Sequence, residues 1–251
     1  VRARIKPGQT IAVGCGSRGI NNIAECAKAV VAELKALGAK PFIFPAMGSH
    51  GGATAEGQRE VLEGYGITEA FVGCPVHSQM DVTEIGKLDD GMPVCIDKLA
   101  AAADAIVVIP RVKPHTNFRA PIESGIVKML TIGLGKIIGA TTLHTYGMDM
   151  FGELLPKTAR LIMAKRNVLF GVAMVEDAAD ETAIIEVVPS EQIFDRELDI
   201  GRNPTLQEFM DAWINRGLDL PPLLSTWGST ASTLTTPATT HRYDPGQSAD
   251  F

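Results

Sequence analysis

The sequence has no basic block, no long apolar run and no paired-cysteine pattern, and each absence removes a class of function. Lys and Arg total 23 against 29 Asp and Glu, giving a formal charge of −6. With no clustered cations, the electrostatic footprint of a nucleic-acid binder is missing. The longest apolar stretches, such as Ala105 to Pro110, fall far short of a bilayer span. Residues 1–6 lack the apolar core of a signal peptide, so the expectation is a soluble cytoplasmic protein with no membrane partner. The chain opens on Val1 only a few residues before a strand pattern, which makes a trimmed N-terminus the expectation. Cysteines at 15, 26, 74 and 95 form neither a CxxC pair nor a dense disulfide pattern. No internal repeat is visible.

What is present is ordinary globular composition: 251 residues, 45% hydrophobic and 21% charged, enough for one large domain or two small ones. The front half alternates strand and helix patterns. Thr10 to Val13 reads as a buried strand, Asn22 to Leu37 as an amphipathic helix stopped by Gly38, and Phe42 to Phe44 as a second strand. Thr54 is placed to cap a helix running to about Glu63. The stretch from Ile67 to Asp97 reads as short strands and turns, and Ala105 to Ile109 is the clearest buried strand. Ile122 to Leu130 and Phe151 to Ala164 have helical spacing; Val168 to Val175 and Ala183 to Val188 read as strands around an acidic turn. The alternation predicts an α/β, Rossmann-like domain over residues 1–200, with a largely parallel sheet and flanking helices. Residues 201–251 read as a short helix (Leu206 to Leu218) and a poorly ordered Ser/Thr/Pro-rich tail from Ser225.

Polar loops at 14–19, 47–52 and 110–120 each follow a strand pattern, and in open α/β sheets ligands sit at such carboxyl ends. Gly14-Cys15-Gly16-Ser17-Arg18-Gly19 fits GxGxxG, but no Asp or Glu lies between Leu34 and Ala55 to hold a ribose, which argues against a dinucleotide site. A Walker A reading fails at Gly133-Leu134-Gly135-Lys136, because Ile137 is neither Ser nor Thr. A loop of backbone amides around Arg18 survives, able to grip a phosphate or carboxylate, or else to be a glycine-rich turn with a solvent-facing Arg. His50, between glycines, and His115, after the best strand, each pass alone for a loop histidine. Two histidines at carboxyl ends of one sheet can face a common crevice. His77 and His241 read as structural or incidental. Lys128, among apolar neighbours, is either snorkelling or desolvated and reactive.

Taken together and in order, Arg18, His50, His115, Ser124-Gly125, Lys128 and His144 resemble the nickel-dependent lactate racemase family, over roughly Ile11 to Phe194. The resemblance implies that Arg18 anchors a substrate carboxylate and that His50 and His115 are the two catalytic bases. It implies that Lys128, in the loop with Ser124 and Gly125, carries a covalently attached nickel-pincer nucleotide, and that His144 completes the nickel coordination. The implied activity is racemisation or epimerisation of a 2-hydroxy acid by hydride transfer to and from the cofactor. The sequence departs from the family at Cys15-Gly16, where the family has an Asp, and at Ile126-Val127, where it often has Gly-Gly. The family's closing C-terminal domain is not recognisable. The alternative is a non-catalytic nucleotide- or anion-binding module of the same fold.

Overall fold

The computed structural model describes residues 1–17, 19–115, 118–177 and 180–201. The helix expected at Leu206 to Leu218 and the tail from Ser225 lie outside the described residues, as does Arg18. The first strand, β1 (Thr10–Cys15), leads into helix α1 (Ile23–Ala36) and strand β2 (Lys40–Pro45). Short helices α2 (Ala55–Gly64) and α3 (Glu69–Val72) follow, then hairpin strands β3 (Val82–Lys87) and β4 (Pro93–Asp97). Helix α4 (Lys98–Ala102) precedes β5 (Ala105–Ile109). Beyond the 110–124 loop come α5 (Gly125–Lys128), a π-helical turn (Met129–Gly133), α6 (Lys136–Thr145) and α7 (Phe151–Lys165). Strands β6 (Val168–Glu176) and β7 (Thr182–Pro189), then helix α8 (Ile193–Gly201), complete the described part.

The main sheet has the order β2-β1-β5-β6-β7, and β3 pairs with β4 in a separate antiparallel hairpin. Strands β2, β1, β5 and β6 run parallel; only β7 turns back against β6. The largely parallel α/β sheet expected from the sequence is thus the fold. Both faces of its centre are covered, which is why β5 is apolar at every position: Ala105, Val107 and Ile109 face one cluster while Ile106 and Val108 face the other. In β1, Ile11, Val13 and Cys15 face the helix α1 layer, and Ala12 faces the opposite layer, built mainly from α5 to α8 and β4.

Local signals set several boundaries. Gly38 takes φ +81° and its N–H donates to Lys35 O, ending α1 where the sequence placed its stop. Thr54 Oγ1 accepts from Gly57 N at 3.0 Å and caps α2. The strands exceed their expected lengths: β1 runs on to Cys15 and β2 covers Lys40–Pro45, because parallel pairing continues past the apolar run, with Cys15 opposite both Pro45 and Ile109. One apolar segment also differs. Ile122 to Leu130 is not a uniform helix but α5 followed by a π turn, whose Thr131 hydroxyl folds back onto Val127 O and Lys128 O.

Among the described residues no single helix is long and apolar enough to cross a membrane.

Candidate functional site

The chain leaves β1 through α1 to β2 on one side, and returns much later to β5 on the other side of β1. The carboxyl ends of β1 and β5, in register at Cys15 and Ile109, therefore mark a topological switch point, where open α/β sheets leave a crevice. Residues 16–17, 19–22, 110–115 and 118–124 flank it, and the loop after β2 carrying His50 lies on the same edge.

His50 meets the β1 loop directly: its Nδ1 is hydrogen-bonded to Ser17 Oγ. Ser17 is itself held from behind, because Tyr65 Oη donates to Ser17 O at 2.5 Å and accepts from Gly19 N at 3.0 Å. The main chain at Gly48 and His50 is gripped by the buried Gln58 amide, which donates to Gly48 O at 2.9 Å and His50 O at 3.1 Å. Gly48, at φ +59°, lies against Ile132 of the π turn, where an added Cβ would come within 3.1 Å of Ile132 Cγ2. Gly16 lies against Met129 of the same turn, at 3.0 Å by the same measure. Both loops thus rest on the segment that follows Lys128.

His115, Lys128 and His144 gather around two phenylalanines. The rings of His115 and Phe118 are 4.5 Å apart, those of Phe118 and Phe151 5.4 Å, and those of Phe151 and His144 5.0 Å. Lys128 Nζ lies 5.6 Å from the Phe118 ring centroid, a cation–π distance. Phe118 and Phe151 are buried, His115 and Lys128 half-buried, and His144 exposed in the last turn of α6.

The loop carrying His115 is folded by acidic and hydroxyl side chains. Glu123 Oε2 accepts from His115 N at 2.7 Å and Oε1 from Ala120 N at 2.9 Å. Ser124 Oγ accepts from Lys113 N at 2.6 Å and donates to Lys113 O. Gly125 takes φ +82°, and any Cβ there would collide with Glu197 Oε1. Glu197, reaching in from α8, accepts from the N–H groups of Ile126 and Val127 and so caps the start of α5 just ahead of Lys128. Burial pushes the Glu197 carboxyl up to about 8 against these two hydrogen bonds.

A second tie closes the far side. Arg111 Nη1 meets the inaccessible Glu176 carboxylate at 2.6 Å, and Glu176 also accepts from Asn21 N. Arg111 Nη1 reaches Gly19 O at 3.4 Å, so the ends of β5 and β6 hold the β1 loop. Desolvation raises the Glu176 carboxyl, while the Asn21 N–H and Arg111 oppose that rise.

The structure therefore brings His115, Lys128 and His144 to one aromatic wall, and sets His50 on the β1 loop beside Ser17. His77 is built into the sheet margin: its N–H donates to Ile43 O at 2.8 Å and its ring lies 5.4 Å from Phe42. Burial pushes the Cys15 thiol well above the usual range, so that side chain is a core residue rather than a nucleophile. Sequence reasoning passed over Ser17, Gln58, Arg111, Glu123, Glu176 and Glu197. Only Ser17 carried a local signal, a hydroxyl beside the Arg of a glycine loop; the others act on partners distant in sequence or in a loop of unforeseen path.

Residues 15–187 match the family described as "Domain of unknown function (DUF362)". No curated protein matches the sequence. Among solved structures, the lactate racemase apoprotein from Thermoanaerobacterium thermosaccharolyticum has the same fold, with a TM-score of 0.62 at 15% sequence identity. The alignment covers 79% of this chain and 50% of that one, so the match spans half the length of the racemase.

Proposed function

The chain belongs to the DUF362 family, and from that premise we propose that it is a nickel-pincer-nucleotide-dependent racemase or epimerase of a 2-hydroxy acid. The observation that carries this reading is the gathering of His115, Lys128 and His144 around Phe118 and Phe151. The lactate racemase fold supports it.

The donor set suits the cofactor. Lys128 offers an amine for covalent attachment beside an aromatic face, within the loop built by Ser124 and Gly125. His144 offers an exposed imidazole nitrogen, a borderline donor well matched to nickel. Among the described residues no three His, Cys, Asp or Glu side chains converge on a bare ion, so the remaining ligands would come from the nucleotide itself. When bound, that group supplies a hydride acceptor and donor.

The chain's own residues do the rest. Arg18 grips the substrate carboxylate bidentately and keeps it fixed while the carbon centre turns. His50 and His115 serve as bases on opposite sides: one takes the hydroxyl proton of the entering enantiomer, the other supplies the proton to the opposite enantiomer, and the two exchange roles in the reverse direction. Neutral imidazole suits that task near pH 7. The hydrogen bond between His50 Nδ1 and Ser17 Oγ orients the imidazole on the β1 loop. The buried rings of Phe118 and Phe151 give the His115 side an apolar wall.

The test loads wild type and variants with the nickel-pincer nucleotide and follows enantiomer interconversion of lactate, malate and larger 2-hydroxy acids. His50→Ala and His115→Ala should keep the cofactor and each lose roughly 10²-fold or more in rate. Lys128→Ala should lose the covalent adduct by mass, and His144→Ala should lose nickel before the organic part. If loaded wild type interconverts none of the acids, and both histidine variants bind them as tightly as wild type, the site is a binding module without turnover.

A further inference from the structure

Lys136 plays no part in the proposed chemistry, yet the fold buries it completely. Its Nζ donates to Pro45 O at 2.5 Å and Gln58 Oε1 at 3.0 Å, and pairs with Asp97 Oδ2 at 3.3 Å. An ammonium has three N–H donors and no acceptor; Pro45 O and Gln58 Oε1 each take one, and the Asp97 carboxylate balances its charge. The residue also takes φ +52°, in the left-handed region that non-glycine residues seldom enter. A buried ion pair seldom adds stability over hydrocarbon of the same volume, so stability alone is a weak reason for this arrangement. Desolvation lowers the Lys136 pKa and Asp97 works against that, which keeps the ammonium paired rather than isolated.

The consequence lies one residue further on. Because Nζ can only donate, it fixes the Gln58 carboxamide with Oε1 toward the lysine. Gln58 Nε2 is thereby turned to the Gly48 and His50 carbonyls. Pro45 O, the second acceptor, ends the strand from which the same loop departs. The loop is thus held at its root and at His50 by one cation. From the juxtaposition of Lys136, Gln58 and the His50 main chain, we propose that Lys136 is a positioning residue for His50. It acts through Gln58 to set the approach of the imidazole to Ser17. The inference rests on the reading of His50 as a base, but its test does not.

The test follows histidine side-chain signals by NMR in the full chain, labelled at histidine, through a pH titration. Lys136→Met keeps the apolar stem and removes the charge. Gln58→Met keeps the Lys136–Asp97 pair and removes the amide linking Lys136 to the loop, together with one acceptor of the buried ammonium; it serves where the first variant does not fold. Either variant, once shown folded by its unchanged circular dichroism, should shift the His50 ring signals and move its titration midpoint by about half a unit or more. The His77 and His144 ring signals should superimpose on those of wild type. In the loaded protein kcat should fall about 10-fold with KM within about twofold, since positioning of a base is lost and carboxylate binding is kept. A folded variant whose His50 signals and midpoint superimpose on wild type overturns the proposal. Inactive loaded wild type with displaced His50 signals in the variants would overturn the racemase reading and leave the positioning role standing.

Discussion

Glu197 and Gly125 make each other necessary. The Glu197 carboxylate fills the volume beside Gly125 that a Cβ would need, and it satisfies the first N–H groups of α5. Gly125→Ala combines that collision with a strained positive φ, and should destabilise the protein by about 2–4 kcal/mol in urea unfolding. Glu197 also predicts a pH dependence. Its pKa is raised in the fold to about 8, so the folded state holds a proton that the unfolded chain has already released. Its contribution is complete below the ordinary carboxyl pKa, falls as the pH rises through neutrality, and is gone above about pH 8. Glu197→Gln mimics the protonated acid. Urea midpoints measured from pH 5 to 8.5 should show the variant near wild type at the acid end and more stable at the alkaline end.

Helix α2 shows an element whose sequence preference and tertiary role have opposite signs. Gly57 lies in its first turn, where propensity alone would make alanine stabilising by about 1 kcal/mol. The turn is pressed against the His50 loop, however, and an added methyl would run into Gly51 O and the Thr54 hydroxyl. Gly57→Ala should therefore lower stability, by about 2 kcal/mol, and displace His50; urea unfolding gives the sign directly. A stabilised variant would mean that the loop yields freely. The same contact explains why the 48–52 segment is rich in glycine: Gly48, Gly51 and Gly52 all take positive φ as the chain turns from β2 into α2.

Across the whole molecule, Arg111 and Glu176 join three distant parts of the chain: the ends of β5 and β6 and the loop after β1. Glu176 is shielded from solvent, so removing only the arginine leaves a buried carboxylate without its cation. Arg111→Leu should cost about 3 kcal/mol or more, and the double variant Arg111→Leu with Glu176→Gln should recover most of that loss in urea unfolding. The loop around Asn21 should exchange its amide hydrogens faster in the single variant, because Glu176 is the acceptor of the Asn21 N–H.

The sequence by itself determined the layer structure: a strand apolar on both faces at Ala105 to Ile109 has to lie in the middle of a covered sheet, and the α1 stripe ending at Gly38 has to pack on one side. It also singled out His50, His115, Lys128 and His144 as candidate side chains, by their order and spacing. It did not reveal the break at the π turn before α6, because Met129 to Leu134 is mostly apolar and periodicity cannot show where hydrogen bonds change partners. Nor did it distinguish Lys136 from a surface lysine. A lysine is buried only when acceptors surround it, and Pro45, Gln58 and Asp97 lie far from it along the chain. The same holds for Glu197 at α5 and Arg111 with Glu176. Residue type and periodicity are local, so they fix elements and candidate chemistry. Which polar groups neutralise one another depends on which distant segments the sheet order brings together, and the tertiary structure alone decides that.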